Sequence, residues 1–325
     1  MTLADLRIVF LGTPEFAVAS LDALVQAGCS IVGVITAPDK PAGRGMKLTE
    51  SAVKKYAVEK GLLILQPEKL KNPSFLEELK SLKADVQVVV AFRMLPEVVW
   101  NMPPMGTINV HGSLLPQYRG AAPINWAVIN GEKETGVTTF KLQHAIDTGD
   151  ILLQSTIRIG EDETAGELHD RMMLEGANTL VETMKGILDG SVLPMEQDNH
   201  LPLTEREEIA ENDQQLTVNE LKHAPKLFTE TCQIDWNLSA DNIYNLIRGL
   251  SPYPAAFTFL NEKKLKVFNA TKEIVGHNEN VGKVFTDEKT FLKFSCTNGF
   301  ISIVELQLEG KKRMGVEEFL RGYRF

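Results

Sequence analysis

The sequence is poor in cysteine and has no long apolar segment. Its 325 residues include three cysteines, Cys29, Cys232 and Cys296, which are far apart and odd in number. This set predicts free, buried thiols in a reducing compartment rather than a disulfide framework. No apolar run approaches the roughly 18 residues that a membrane-spanning helix requires. The first residues lack the basic and apolar segments of a secretory signal, so we expect a cytoplasmic protein without a membrane partner.

Two common kinds of cofactor site are also missing from the sequence. No metal-ligand spacing is formed by His144, His169, His200, His223 and Cys232. We therefore expect no bound metal. After the first predicted strand, Gly12-Thr13-Pro14 stands where a dinucleotide-binding protein would have G-x-G-x-x-G. Pro14 favours the start of a helix instead. Without the glycine motif, the main sequence argument for a dinucleotide cofactor is lost.

The charge is unevenly distributed along the chain. The net charge of the whole sequence is −9, but from residue 221 onward the chain carries 15 Lys and Arg against 12 Asp and Glu. The preceding part is therefore the acidic one. This asymmetry is compatible with an acidic body followed by a domain that tolerates phosphates, although surface charge often serves only solvation.

The length suits two domains, and the first half has the pattern of an α/β domain. Apolar runs rich in Val and Ile predict buried strands at Arg7–Leu11, Ile31–Thr36, Leu62–Leu65, Val86–Ala91, Thr107–Val110, Val137–Leu142 and Ile151–Ile159. Amphipathic stretches predict helices at Glu15–Ala27, Glu50–Lys60, Pro73–Leu82 and Thr164–Asp189. This alternation predicts a doubly wound, mainly parallel sheet of the Rossmann-like kind over residues 1–190.

The second half has a different pattern. Residues 191–214 are polar and include two prolines, which predicts a linker. A helix is expected at Ala240–Leu250. Short alternating runs follow at Lys264–Asn269, Gly282–Phe285, Thr290–Ser295 and Phe300–Leu308, with Gly, Asn and Asp between them. These runs predict a small β-barrel domain over residues 215–325.

Three polar residues form the strongest candidate site. Asn109 and His111 are two residues apart at the end of a predicted strand, so their side chains point the same way. Asp147 lies in the loop between the next two strands. An amide can donate to an oxyanion, an imidazole can accept a proton near neutral pH, and a carboxylate can orient the imidazole. Taken singly, each would be an ordinary loop or turn residue.

The residues around this trio resemble the 10-formyltetrahydrofolate-dependent formyltransferases. The resemblance rests on Asn109-Val110-His111-Gly112-Ser113-Leu114-Leu115-Pro116, Arg119-Gly120-Ala121-Ala122-Pro123-Ile124, Asp147-Thr148-Gly149-Asp150 and Gly12-Thr13-Pro14. It implies that Asn109, His111 and Asp147 are catalytic and that 10-formyltetrahydrofolate is the formyl donor. It also implies an OB-like C-terminal domain. The folate-binding loop would be formed by Ser113, Leu114, Leu115 and Pro116.

One position near the expected pterin pocket departs from the family pattern. The segment Ala91-Phe92-Arg93-Met94-Leu95-Pro96 should line this pocket, where the family more often has Tyr-Gly at positions 92 and 93. This departure changes the expected local shape of the pocket and leaves the expected reaction unaffected.

A basic loop distinguishes between members of this family. Residues 38–47 contain two prolines and two glycines, a pattern too irregular for a helix or a strand and typical of a mobile surface loop. This loop resembles the one with which tRNA-modifying family members hold the acceptor end of tRNA. The resemblance implies RNA contacts from Lys40, Arg44 and Lys47. In the C-terminal domain, the basic run Lys311-Lys312-Arg313 would add further contacts.

Three functions therefore stand for comparison. The first is formylation of the methionine on charged initiator tRNA, with no stable protein partner. The second is formylation of a small molecule, either an amino sugar or a purine precursor. The third is a non-enzymatic RNA-binding module with a vestigial α/β domain. The two basic segments favour the first over the second, and the intact trio of Asn109, His111 and Asp147 argues against the third.

Overall fold

The computed structural model describes residues 2–42, 47–197 and 221–324. Arg44 and most of the expected linker, residues 198–214, lie outside these ranges. The chain divides into two compact units. The first consists of Met1–Arg119, Gly136–Ile157 and Asp170–Lys222, and the second of Gly120–Thr135, Arg158–His169 and His223–Phe325.

The part of the chain before residue 198 alternates strands and helices. Its strands are β1 (Arg7–Gly12), β2 (Ser30–Ile35), β3 (Lys40–Ala42), β4 (Lys47–Thr49), β5 (Ile64–Leu65), β6 (Val86–Val90), β7 (Thr107–His111), β8 (Arg119–Gly120), β9 (Glu134–Lys141) and β10 (Ile151–Arg158). Its helices are α1 (Glu15–Gln26), α2 (Ala52–Glu59), α3 (Pro73–Ser81), α4 (Glu97–Trp100), α5 (Pro123–Ile129) and α6 (Ala165–Asp189).

Seven of these strands form one sheet in the order β10-β9-β7-β6-β1-β2-β5. The pairs around β1, and the pair of β6 with β7, are parallel, whereas β7 and β9 are antiparallel. Every residue of β6 is buried, as expected for a strand covered on both faces. The predicted doubly wound, mainly parallel sheet is thus confirmed.

Apolar packing against this sheet fixes the strands that carry the candidate site. Val9 and Val89 belong to a buried cluster that includes Phe75 and Leu79 of α3. Helix α3 begins with Pro73, and the side chain of Asn72 accepts a hydrogen bond from the Ser74 amide, an arrangement typical of a helix start. A covered, close-packed sheet holds its strand ends in fixed positions.

The basic loop differs from its prediction. Residues 38–47 were expected to be too irregular for a strand, but β3 and β4 pair antiparallel, with Lys40 opposite Thr49 and Pro41 opposite Leu48. Pro41 is tolerated because this two-stranded hairpin is separate from the main sheet. The sequence signal was obscured by the prolines and glycines, which usually interrupt strands.

The second unit contains most of the elements after residue 221. These are β11 (His223–Ala224), a short 3-10 helix (Glu230–Cys232), α7 (Ala240–Gly249), β12 (Ala256–Leu260), β13 (Lys263–Ile274), β14 (Val284–Thr286), β15 (Leu292–Cys296), β16 (Gly299–Leu308), β17 (Met314–Gly315) and α8 (Val316–Gly322). The long strands form a curled antiparallel sheet in the order β12-β13-β16-β15-β14, with β17 paired to β16. This sheet is consistent with the small barrel predicted from the sequence.

The core of the second unit lies between its sheet and α7. Ile243 and Ile247 of the helix pack with Leu265, Phe294 and Ile301 of the strands, and all five are buried. Strand β13 continues beyond its predicted end at Asn269. Its register with β16 shifts on either side of Asn269, and regular pairing resumes after this irregularity.

The cysteine prediction is confirmed, since Cys29, Cys232 and Cys296 are free and buried. Burial raises the pKa of each thiol, which keeps it protonated and unreactive at neutral pH. No helix among the described residues is long and apolar enough to cross a membrane. Within those same residues, no group of three or more His, Cys, Asp or Glu side chains is arranged to hold a metal ion.

Candidate active site

Strand β7 presents two of the three predicted catalytic residues. Asn109 lies opposite Val89 of the parallel strand β6 and opposite Phe140 of the antiparallel strand β9, while His111 lies opposite Thr138. Alternation along a strand places the two side chains on the same face. Asn109 is half-buried, and none of residues 2–42, 47–197 and 221–324 hydrogen-bonds its carboxamide. Its N–H groups are therefore available to a bound molecule.

A backbone contact of His111 determines which ring nitrogen carries the proton in the neutral ring. The side chain is buried, and its edge contacts the ring of Phe140. Its Nε2 lies 2.9 Å from the carbonyl oxygen of Tyr118. A carbonyl oxygen can only accept a hydrogen bond, so Nε2 must carry a proton. In the neutral ring, Nδ1 is consequently the nitrogen with a free electron pair.

Asp147 approaches this free nitrogen. Its Oδ2 lies 3.9 Å from His111 Nδ1, and its side chain is only 13% exposed. Strand β9 ends at Lys141, which lies opposite Ile108 near the start of β7. The loop after β9 therefore travels back toward the end of β7 before it reaches His111. The structure thus brings His111 and Asp147 together, as the sequence predicted.

Three residues at this edge of the sheet have a positive φ although they are not glycine. Asp147 has a φ of 54°. Tyr118, whose carbonyl oxygen accepts the hydrogen bond of His111 Nε2, has a φ of 59°. Ala91, which directly follows β6, has a φ of 46°. Residues other than glycine seldom adopt such values, and where they do they cluster at functional sites. Three of them at the ends of adjacent structural segments support a functional role for this edge of the sheet.

Two further residues complete the site, and the sequence analysis did not assign either a role there. Gln197 is buried, and its Nε2 donates to the backbone oxygens of Asp147 (2.9 Å) and Gly149 (2.7 Å). Its Oε1 accepts from Nε of Arg119 at 3.0 Å and from Nη2 at 2.5 Å. Burial lowers the pKa of Arg119, and the nearby charge of Asp147 opposes that shift. Arg119 was visible as part of a motif, whereas Gln197 lay in the expected linker and carried no signal.

The predicted folate-binding loop is held by hydrogen bonds within the chain segment 113–117 and by hydrogen bonds to Thr138 of β9. The hydroxyl of Ser113 donates to the Gln117 carbonyl at 2.7 Å, and the carbonyl of Ser113 accepts from Thr138 at 2.6 Å. Leu115 is fully buried and Leu114 is half-buried. Any contact that this loop makes with a ligand must therefore come from Leu114 and from backbone atoms rather than from the Ser113 hydroxyl.

Arg93, which departs from the family pattern, is tied to a neighbouring loop. Its guanidinium donates to the carbonyl of Glu68 at 2.7 Å and to that of Pro67. It also lies over the ring of Phe92, with 5.6 Å between Cζ and the ring centroid. Arg93 thus fixes the segment after β6 to the segment after β5.

The base of the β3–β4 hairpin is anchored by Asp39. Its carboxylate accepts hydrogen bonds from Lys54 and from Gln66, the latter at 2.8 Å. These hydrogen bonds hold the pKa of Asp39 below its usual range. Lys40 follows directly and is exposed. Lys47 begins β4. Arg44, the third predicted RNA contact of this segment, lies outside the described residues.

The basic run of the second unit is exposed and partly paired. Lys311, Lys312 and Arg313 all lie at the surface. Lys312 forms an ion pair with Glu318 at 3.2 Å, and Arg313 forms one with Glu305 at 2.5 Å. Pairing with carboxylates reduces the positive charge that Lys312 and Arg313 offer to a polyanion, so Lys311 is the strongest of the three candidates.

Comparison with known proteins finds matches over most of the chain. The formyl transferase family matches residues 6–184, and the formyl transferase C-terminal domain matches residues 226–324. The chain is 51% identical to a methionyl-tRNA formyltransferase of Bacteroides thetaiotaomicron, over 98% of this chain and 96% of that protein. It is 54% identical to a methionyl-tRNA formyltransferase of Phocaeicola vulgatus, over 98% and 96% of the two chains.

Solved structures with low sequence identity share the fold. The sugar 3N-formyl transferase WlaRD, solved in the presence of dTDP and 5-N-formyl-THF, superposes with a TM-score of 0.66 at 19% identity, covering 94% of this chain and 99% of that one. HypX from Aquifex aeolicus in complex with tetrahydrofolic acid gives a TM-score of 0.61 at 18% identity, covering 97% and 48%. The family matches and the close relatives cover both units, and this chain belongs to the formyl transferase family.

Proposed function

We propose that the protein transfers the formyl group of 10-formyltetrahydrofolate to the α-amino group of methionine on charged initiator tRNA. The observation that carries this proposal is the identity of 51–54% with methionyl-tRNA formyltransferases over 98% of the chain. The grouping of His111 with Asp147 supports it, because the residues expected to do the chemistry are in contact distance. Since the acceptor takes part in translation initiation, we place the protein in the cytoplasm.

In this proposal His111 is the proton acceptor. The amine of the acceptor must lose a proton as it attacks the formyl carbon, and Nδ1 of His111 is the ring atom with a free electron pair. The resulting imidazolium donates from Nε2 to the carbonyl of Tyr118 and faces the carboxylate of Asp147 with Nδ1. Asp147 thereby stabilises the cation, and its backbone is held by Gln197. When the bond between the formyl carbon and N10 of the donor breaks, the imidazolium would return the proton to N10, and tetrahydrofolate would leave as the neutral amine.

Asn109 is the proposed oxyanion donor. When amine adds to a formyl group, negative charge develops on the formyl oxygen, and a fixed N–H donor stabilises it. The half-buried carboxamide of Asn109 has no hydrogen-bond partner among the described residues, and it shares a strand face with His111. A half-buried donor that no described residue hydrogen-bonds needs little rearrangement to serve this role.

10-Formyltetrahydrofolate, when bound, supplies the activated formyl group. The residues that would hold it are the loop Ser113, Leu114, Leu115 and Pro116 and the segment after β6. The carboxamide of Asn109, which no described residue hydrogen-bonds, fits a carbonyl group at this place, and half-buried Leu114 fits an apolar ring. The hydrogen bond of the Ser113 hydroxyl and the burial of Leu115 stabilise the conformation of this loop.

The RNA contacts are proposed for the two basic segments. Lys40 and Lys47 lie in strands β3 and β4, and Asp39 fixes the base of this hairpin. Arg44 lies between them in the sequence and outside the described residues. Lys311, Lys312 and Arg313 are exposed on the second unit. Lysine and arginine bind phosphates and open base edges, and the strength of such contacts falls with added salt.

The test is a comparison of formyl acceptors. The full-length protein is incubated with 10-formyltetrahydrofolate and, separately, charged initiator tRNA, free methionine or an amino-sugar nucleotide. We expect formyl-methionine to be released on hydrolysis of the tRNA ester, and no comparable product from the small amines. The His111→Ala variant, expressed and purified in the same way, controls for contaminating activity. Preferential formylation of the amino sugar would overturn the proposal.

A further inference from the structure

The stretch after α6 contains a buried side chain that the reaction described above does not use. Met195 pairs antiparallel with Ile151, through two N–H···O bonds of 2.8 Å, and so lies against the start of β10. Two residues further along, Gln197 is only 6% exposed. A glutamine is seldom buried to this degree without specific partners.

Both N–H bonds and the oxygen of the Gln197 carboxamide have hydrogen-bond partners. Its two N–H bonds point to the carbonyl oxygens of Asp147 and Gly149, and its oxygen receives two N–H bonds of Arg119. Carbonyl oxygens only accept and a guanidinium only donates, so the amide has one possible orientation. This side chain therefore joins the loop of Asp147 to the guanidinium of Arg119.

The loop that Gln197 holds is under constraint. Asp147 has a positive φ, which needs support from surrounding contacts. Gly149 is pressed against β9, since a Cβ at this position would lie 1.6 Å from the carbonyl oxygen of Lys141. Gln197 hydrogen-bonds the carbonyls of both residue 147 and residue 149, on either side of Thr148. These two hydrogen bonds limit the positions that the Asp147 carboxylate can take.

We propose that Gln197 is a positioning residue of the formyl-transfer site. It binds the backbone of Asp147 and the guanidinium of Arg119 at once, so that the Asp147 carboxylate is held facing Nδ1 of His111. The inference rests on the proposed function, because it assigns Gln197 an effect on turnover through Asp147. Gln197 itself does not touch the reacting atoms.

The principal test is a double-mutant cycle with Gln197→Ala and Asp147→Asn in the full-length protein. Displacement of a catalytic group by about 1 Å can cost on the order of 10²-fold in rate, so we expect Gln197→Ala to lower kcat by about 10- to 100-fold. The KM values for 10-formyltetrahydrofolate and for charged tRNA should change by less than about threefold. In the Asp147→Asn background, Gln197→Ala should have little further effect on kcat.

Two other variants separate positioning from stability. Gln197→Glu keeps the size and the acceptor for Arg119 but cannot donate to the two carbonyls, so it should lose as much kcat as Gln197→Ala. Gln87→Ala is the matched control, because Gln87 is also buried and hydrogen-bonded, to Thr107 within the sheet. The thermal unfolding temperature of Gln87→Ala should be lower than that of the wild type. The kcat of this variant, measured below its unfolding temperature, should stay near the wild-type value.

The possible outcomes are distinct. If wild-type protein fails to formylate charged tRNA, the proposed function fails before any variant is compared. If the wild type is active and Gln197→Ala or Gln197→Glu keeps its kcat within about threefold, the inference about Gln197 is wrong and the proposed function stands. A full additional loss from Gln197→Ala in the Asp147→Asn background would also overturn the inference, because the effect would then not pass through Asp147.

Discussion

Nε2 of His111 is hydrogen-bonded to the backbone oxygen of Tyr118 at 2.9 Å. Because the partner is a backbone atom, no side-chain change at position 118 alters the acceptor itself. The contact fixes the tautomer of the ring and leaves Nδ1, the atom that faces Asp147, to take up a proton. Tyr118 itself has a positive φ of 59°, a value that residues other than glycine seldom adopt.

Replacement of Asp147 by asparagine should lower kcat by roughly 10²–10⁴, the range for loss of general acid–base assistance. Asparagine keeps the size of the side chain and the backbone bond to Gln197, but it cannot stabilise the imidazolium. Folate binding, followed by fluorescence or calorimetric titration, should be nearly unchanged. A variant that turns over at close to the wild-type rate would remove Asp147 from the catalytic set.

Replacement of Asn109 by alanine should cost on the order of 10²–10³ in kcat, since one oxyanion donor is lost. Asn109→Asp is the informative companion. It has nearly the same shape, but its carboxylate repels the developing negative charge, so we expect no recovery. The two variants are compared by steady-state kinetics at saturating folate and charged tRNA. Recovery in Asn109→Asp would show that the position contributes shape rather than a donor.

Gly149→Ala should impair both activity and stability. The added Cβ would lie 1.6 Å from the Lys141 carbonyl oxygen, so the loop of Asp147 must move away from β9. Overpacking of this kind costs about 1–3 kcal/mol, measurable by urea unfolding. Gly276→Ala is the control, because no atom lies within 4 Å of the corresponding Cβ. Equal activity of the Gly149 and Gly276 variants would argue against a constrained Asp147 loop.

The β3–β4 hairpin should control the affinity for tRNA. Arg44→Ala would remove the proposed charge-assisted contact with RNA, worth about 1.5–3 kcal/mol, so KM for charged tRNA should rise about tenfold or more. Asp39→Asn should act in the same direction by loosening the base of the hairpin. The pKa of Asp39 is lowered, so its carboxylate is charged at neutral pH and its bond to Lys54 is lost only in acid.

KM values for tRNA and for folate are measured in parallel for both hairpin variants. Lys185→Ala is the control for loss of one positive charge, because Lys185 lies on α6 and pairs only with Glu182 among the described contacts. If Arg44→Ala leaves the specificity constant for tRNA unchanged, the main sequence argument for a tRNA acceptor is lost.

Much of the first unit could be predicted because buried parallel strands have a simple signature. The end of β6 was predicted at Ala91 and lies at Val90, and β7 was predicted to Val110 and extends to His111. The pairing of His111 with Asp147 was predicted from the motifs, and their distance of 3.9 Å agrees with it. Continuous apolar runs and short motifs are local properties that a sequence records directly.

Other features depend on partners that are distant in the sequence. Gln197 is a polar residue in a polar stretch, and only its contacts with Asp147 and Arg119 make it part of the site. The β3–β4 hairpin was missed because Pro41 and the following glycines suggest an irregular loop, whereas cross-strand pairing decides the structure. The contacts of Gln197 and the pairing of β3 with β4 both depend on residues that are distant or on the opposite strand, and local composition does not reveal them.

The most direct test is the rate of a single turnover in His111→Ala. Enzyme is mixed with 10-formyltetrahydrofolate and charged initiator tRNA, both at saturating concentration, and formyl-methionine is measured by rapid quench. The wild type is expected to form the product in one fast phase. In His111→Ala this phase should be slower by roughly 10²–10⁴, with folate and tRNA binding preserved. An unchanged rate of transfer in the variant would contradict the assignment of His111 as the base at the centre of this site.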